Sequence, residues 1–158
     1  MSEKVKRARE LFLEGYNCSQ AVVGAFCRDL GLDFDVAMRL SSSFGGGMGR
    51  MREVCGAVSG AFLVIGLACG YDSPTDKDAK SEHYKRIRET AEAFRAKRGS
   101  IICRELLEKK KGEAESHIPD DRTASYYAQR PCLAIVEEMT AITEEVLRRE
   151  AEKDKRQV

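Results

Sequence analysis

The sequence predicts an all-α fold: a single-domain bundle of about six or seven helices over residues 1–158. Three observations carry this. Apolar residues recur at three- and four-residue spacing along most of the chain. No segment alternates with period two for long enough to make a strand. Only three prolines occur in 158 residues, so little interrupts a helix. Hydrophobic residues make up 42%, enough to build one core and to exclude global disorder.

The first helix carries Val5, Ala8, Leu11 and Phe12 on one side and is interrupted at Gly15-Tyr16-Asn17. Asn17 with Gln20 three residues on reads as a capping box, opening a second helix from Cys18 to Leu30 that Gly31 stops. Asp33 caps a short third helix from Phe34 to Leu40. A loop from Ser41 to Gly49 follows, then an apolar helix from near Cys55. Ser73-Pro74-Thr75-Asp76 reads as the start of a fifth helix, with proline at its first position. That helix runs to Arg98 with the stripe Tyr84, Ile87, Ala91 and Phe94. Ser100 caps a sixth helix through Leu107, closed by Lys109-Lys110-Lys111-Gly112. The polar stretch from 111 to 131 reads as a lid or as loop hiding a helical turn near Asp120 to Tyr126. The last helix begins at Pro131 with the seam Cys132, Ile135, Met139, Ile142 and Val146, broadened by Val136 and Leu147. Glu144–Arg148 and Glu145–Arg149 are i,i+4 pairs on its wet face. A polar tail, 151–158, is expected to fray.

Charge and apolar length exclude several classes. The net charge is +1, and no nucleic-acid motif accompanies the basic stretch from Lys77 to Lys111, so no nucleic-acid partner is expected. The acidic C-terminal part reads as a face that this basic stretch attracts. Val54 to Tyr71 carries no charge over 18 residues but is rich in glycine and alanine, so it reads as a buried core helix without stable membrane insertion. Met1 to Glu14 is charged throughout and resembles no signal peptide. A cytoplasmic location with reduced thiols is therefore the expectation.

The six cysteines are not equivalent. Cys18, Cys55, Cys103 and Cys132 fall at predicted helix N-termini, where partial positive charge and unpaired amides favour a thiolate. Cys27 and Cys69 fall toward helix C-termini and read as small buried hydrophobes. There is no Cys-x-x-Cys, so neither thioredoxin chemistry nor a zinc ribbon is signalled. If the four helix starts meet at one end of the bundle, four thiolates suit an iron–sulfur cluster or tetrahedral zinc. Two or three could instead form a redox thiol pair. The loop Gly45-Gly46-Gly47-Met48-Gly49-Arg50 is neither a P-loop nor a dinucleotide fingerprint. It reads as a tight turn, or as an amide nest around an anion or cluster sulfide with Arg50 and Arg52 adding charge. His83 and His117 read as solvated, and Tyr126 and Tyr127 as cover for the core.

Asn17-Cys18-Ser19-Gln20, Phe44-Gly45-Gly46-Gly47-Met48-Gly49, Cys55-Gly56-Ala57-Val58-Ser59-Gly60 and the single Cys103 and Cys132 together resemble the redox-active C_GCAxxG_C_C family. The resemblance runs from about Tyr16 to Cys132, and the family's four cysteines map to Cys18, Cys55, Cys103 and Cys132. It implies a small bacterial or archaeal protein with redox activity. A related domain resembles part of the split-Soret cytochromes, which hold haem and an iron–sulfur centre. This chain has no Cys-x-x-Cys-His, so only the cluster carries over.

Three functional readings follow. In the first, Cys18, Cys55, Cys103 and Cys132 ligate an iron–sulfur cluster for electron transfer or redox sensing, with Gly45, Gly46, Gly47, Gly49 and Arg50 lining the cofactor site. In the second, the chain is a thiol–disulfide oxidoreductase whose catalytic residues are Cys55, the expected nucleophile, and Cys18. In the third, the bundle is structural, with a zinc staple or no metal, and forms a homodimer. The partner expected for the first two is a redox protein or a small-molecule thiol or disulfide.

Overall fold

The computed structural model describes residues 1–110 and 112–158; Lys111, at the expected close of the sixth helix, lies outside them. The described residues form eight helices and no strand. These are α1 (Glu3–Glu14), α2 (Cys18–Phe26), α3 (Phe34–Ser41), α4 (Gly56–Cys69), α5 (Lys77–Arg98), α6 (Cys103–Leu106), α7 (Ala124–Gln129) and α8 (Cys132–Arg156). The six of eight residues or more make the all-α bundle that the periodicity predicts. Among the described residues no helix is long and apolar enough to cross a membrane.

Local chemistry sets most boundaries. The Asn17 side chain accepts from the Gln20 amide at 2.9 Å and the Gln20 side chain accepts from the Asn17 amide at 3.0 Å, completing the capping box. The α2 helix ends at Phe26 rather than Leu30; turns carry the chain to Gly31, which is left-handed at φ 72°. Asp76, not Ser73, caps α5 by accepting from the Ala79 amide, so Pro74 precedes the helix instead of opening it. The buried stripe of α5 is His83, Thr90, Ala91 and Phe94, with Ile87 half-buried. That register turns His83 inward and leaves Tyr84 exposed, correcting the expectation for both residues. Ser100 does not cap α6. Its hydroxyl accepts from the Ile102 amide, while an isolated antiparallel bridge between Val54 and Ile102 keeps that segment extended.

The helical turn expected near 120–126 forms a few residues later as α7, capped by Thr123. The α8 helix does not fray at 151 but continues to Arg156, bearing the ion pairs Arg148–Glu152 and Lys153–Glu150. Of the two expected α8 pairs, Glu145–Arg149 forms, whereas Glu144 accepts from the Ser2 hydroxyl instead. Its seam bends toward Thr140 and Thr143, whose hydroxyls are satisfied by the carbonyls four residues back, and leaves Ile142 and Val146 half-covered.

The core is built from α1, α2, α4 and α8, around Leu11, Phe12, Val22, Val58, Ile65, Ile135 and Met139, with Phe94 entering from α5. Small residues let α2 and α4 cross closely. A Cβ on Gly56 would lie 3.2 Å from Cys18 Cβ, and one on Gly60 would lie 2.8 Å from the Ser19 carbonyl oxygen. This draws the N-termini of α2 and α4 together. Residues 52–55 then run beside 101–104: Cys55 N–H donates to the Ile101 carbonyl at 2.8 Å and Cys103 N–H to the Glu53 carbonyl at 2.7 Å. Three helix starts thus converge on one end of the bundle, and α8 brings the fourth by packing along α1 and α4.

Candidate functional site

Between these helix starts lies one small cavity of about 60 Å³, room for a few water molecules. Cys18, Cys55, Cys103 and Cys132 all line it. So do Gly46, Gly47 and Gly56, the side chains of Asn17, Tyr126 and Ile135, and three arginines: Arg52, Arg122 and Arg130. No carboxylate lines it. All six cysteines are free thiols. Among the described residues no group of three or more His, Cys, Asp or Glu side chains is arranged to hold a metal ion. The four cysteines ring a space.

Burial outweighs the helix starts for three of the four thiols. A helix N-terminus favours an anion by about 0.3–1 kcal/mol, up to ~2 kcal/mol in partly buried geometries. Desolvation of a thiolate costs more. Burial pushes Cys55 up to about 12, although the amides of Val58 and Ala57 in the first turn of α4 oppose it. Burial also raises Cys103, against the pull of the Arg52 guanidinium. Cys18 is raised well above an ordinary thiol, first by its interaction with Cys132 and then by burial. Cys132 alone is lowered, to about 7: the Cys18 thiol favours its thiolate, burial opposes it, and Arg130, Arg52 and Arg122 add to the lowering. Cys132 is thus the thiol whose surroundings favour a thiolate, whereas burial opposes one at Cys55.

The glycine loop is stranger than a tight turn. Five consecutive residues, Gly46, Gly47, Met48, Gly49 and Arg50, have φ between 58° and 69°, and Arg52 follows at 60°. This is one turn of left-handed helix. Glycine adopts it freely, but Met48, Arg50 and Arg52 each cost about 1–2 kcal/mol. The reversed hand folds the loop flat against the site. A Cβ on Gly47 would lie 2.7 Å from Cys103 Cβ and 2.8 Å from Arg52 Cα.

The loop residues expected at the cofactor therefore separate. Gly46 and Gly47 line the cavity, whereas Gly45 packs on the Asn17 side chain and Gly49 has open space beside it. Arg50 turns away. Its guanidinium donates to the Ser116 carbonyl and pairs with Glu115 and Asp120, tying down the polar stretch after α6. Asp120 also pairs with Arg130. Residues 115–120 thus form a strap clasped to Arg50 of the glycine loop.

Arg122 and Tyr126 carry no motif in the sequence. Arg122 donates to the Phe12 and Tyr16 carbonyls and stacks 4.6 Å from the Phe12 ring and 4.9 Å from Tyr126. The Arg130 guanidinium also lies over the Tyr126 ring, 4.5 Å from its centre. Arg130 could have been found by its place two residues before Cys132; the others are brought in by α7.

The remaining thiols stand elsewhere. Cys27 is buried and donates to the Gly24 carbonyl; Cys69 is half-buried and donates to the Ile65 carbonyl.

A family model described as "Putative redox-active protein (C_GCAxxG_C_C)" matches residues 16–146. No curated protein and no solved structure matches the chain.

Proposed function

Since the chain belongs to the C_GCAxxG_C_C redox-active family, we propose that its redox centre is the four-cysteine cavity, with Cys18, Cys55, Cys103 and Cys132 holding an iron–sulfur cluster for electron transfer or redox sensing. One observation carries this reading: the four family cysteines line a single cavity that three guanidiniums and no carboxylate share. The donor set fits. Four thiols are the usual complement for such a cluster, and four thiolates bring negative charge that arginines offset. The cradle fits as well, because Gly47 leaves its backbone free against Cys103 where any Cβ would intrude. A cluster also spreads its ligands around a core of several atoms, as these cysteines are spread around a cavity.

When bound, the cluster supplies one-electron chemistry. The chain's residues do the rest. Arg52 donates to Cys103 sulfur at 3.7 Å, and hydrogen bonds to ligand sulfur raise the potential. Tyr126, Leu106 and Ile135 add apolar surface to the lining. Anaerobic reconstitution followed by iron, sulfide and visible-absorption analysis tests the reading. Chains carrying iron and sulfide with thiolate-to-iron absorption support it; a colourless protein without iron refutes it.

A second reading rests on the Cys18–Cys132 pair. Its lowered Cys132 and raised Cys18 make a thiolate beside a thiol, the arrangement of a dithiol that is oxidised to a disulfide by a disulfide substrate. Mass mapping of a Cys18–Cys132 bond after oxidised glutathione, in metal-free protein, tests that alternative.

A further inference from the structure

We propose that Arg52, locked in place by Glu115, is a positioning residue that sets how readily the cysteine centre accepts an electron. The inference rests on the redox reading of the cavity and deepens it.

Arg52 is costly to the fold. Its side chain is 3% exposed, so its guanidinium has lost nearly all its water, a penalty of several kcal/mol that an apolar side chain would not incur. Its backbone is left-handed, which costs a non-glycine residue about 1–2 kcal/mol more. Charges kept at such expense are commonly found at functional sites. Every face of this guanidinium is spoken for. Nη1 points at Cys103 sulfur, 3.7 Å away, while Nε and Nη2 fork onto the Glu115 carboxylate at 3.0 and 3.4 Å. Lys109 holds the same carboxylate at 2.7 Å. The backbone is fixed too: Arg52 N–H donates to the Gly46 carbonyl and its own carbonyl accepts from Arg104. The guanidinium is therefore a fixed positive charge on one ligand sulfur. Glu115, on the strap, is a fixed negative charge one step further out.

Reduction adds negative charge to the centre, whether one electron enters a cluster or two electrons and one proton convert a disulfide to a thiolate and a thiol. A buried positive charge favours that state and a buried negative charge opposes it. The two residues must then act in opposite senses. Removing the charge of Arg52 (Arg52→Gln) makes reduction harder, by about tenfold in the equilibrium, which is ~59 mV for one electron. Removing the charge of Glu115 (Glu115→Gln) makes reduction easier. Arg52→Lys keeps the charge but loses the fork, and returns part of the wild-type value.

The experiment is a redox titration of full-length wild-type, Arg52→Gln, Arg52→Lys and Glu115→Gln chains, each checked by circular dichroism and iron content. Opposite shifts for Arg52→Gln and Glu115→Gln, with partial recovery in Arg52→Lys, support the proposal. Shifts in the same direction, or none at normal iron content, overturn it and reduce the pair to a structural clasp. Should wild-type chains take up no iron, the cluster reading fails by itself. The same chains are then titrated with dithiothreitol, where a tenfold change is 29.6 mV and the expected signs are unchanged. Should Arg52→Gln not fold, the upward shift in Glu115→Gln still decides the matter.

Discussion

The two kinds of cysteine in this chain differ in what their helices offer them. Cys27 and Cys69 sit near the C-terminal ends of α2 and α4, and each thiol donates to a carbonyl of its own helix, Gly24 and Ile65. Their needs are met locally, and burial raises both above an ordinary thiol. Cys18, Cys55, Cys103 and Cys132 sit at helix starts, where no preceding turn supplies such an acceptor. Their sulfurs look outward from the helices to one another and to arginines. A thiol at a helix end that supplies acceptors is absorbed by the fold; one at an end that supplies donors is left for chemistry. Helix polarity sorts the set, and the Cys18 thiol, followed by the nearby arginines, then lowers Cys132.

The largest expected difference is in cofactor retention. Cys18→Ser, Cys55→Ser, Cys103→Ser or Cys132→Ser each lose most of the iron and sulfide bound after anaerobic reconstitution, whereas Cys69→Ser keeps it. Equal retention in both groups would erase the distinction. Next is the cradle. Gly47→Ala drives a Cβ into Cys103 and forces an unfavourable left-handed φ, costing about 3 kcal/mol, while Gly49→Ala meets only open space and costs about 1 kcal/mol. Urea midpoints of the two variants check the ratio.

Two pH experiments follow. In metal-free protein, iodoacetamide should label Cys132 with a half-maximal rate near pH 7, because its thiolate already forms there, while Cys27 and Cys69 stay slow until the pH exceeds that of an ordinary thiol. Peptide mapping of labelled sites over pH 6–10 reads this directly. Glu115 works in the acid range. Burial raises its carboxyl, but hydrogen bonds from Arg52 and Lys109 hold it down at about 2 against an ordinary 4.5. Its folded value is depressed, so its stabilisation is present above about 4.5 and fades as pH falls from there toward 2. The urea midpoint of the wild type should therefore drop more steeply between pH 5 and 3 than that of Glu115→Gln. Smallest of all is Arg148→Ala on the exposed face of α8, which should leave the midpoint within scatter.

How much of this could be read from residue types alone depends on the range of the interaction. Caps at Asn17 and Asp33 and the end of α5 at Arg98 involve partners within four residues, and the sequence predicts them correctly. The helix-start placement of the four cysteines is likewise local. Their common cavity is not: it depends on the Gly56 and Gly60 crossing, on the Val54–Ile102 bridge and on α8 reaching back to α1. Only the family motif hinted at it. A helix-start rule knows nothing of desolvation, so it does not foresee that burial raises Cys55. His83 was misplaced because the buried face of α5 passes through His83, Ile87, Thr90, Ala91 and Phe94, and Tyr84 falls just off it. The left-handed turn was hidden most deeply, since Met48, Arg50 and Arg52 disfavour the conformation that the packing around Gly47 imposes on them.

The strap bears on how such a site comes to be assembled in time. Cys18, Cys55 and Cys103 precede it in the chain and Cys132 follows it. A ribosome adding about 5–20 residues each second releases three thiols some seconds before the fourth. Glu115 and Asp120 emerge within that interval, after the third thiol and before the fourth. The carboxylates that clasp Arg50 are thus made before α7 and α8, which bring Tyr126, Arg130 and the fourth thiol to complete the lining.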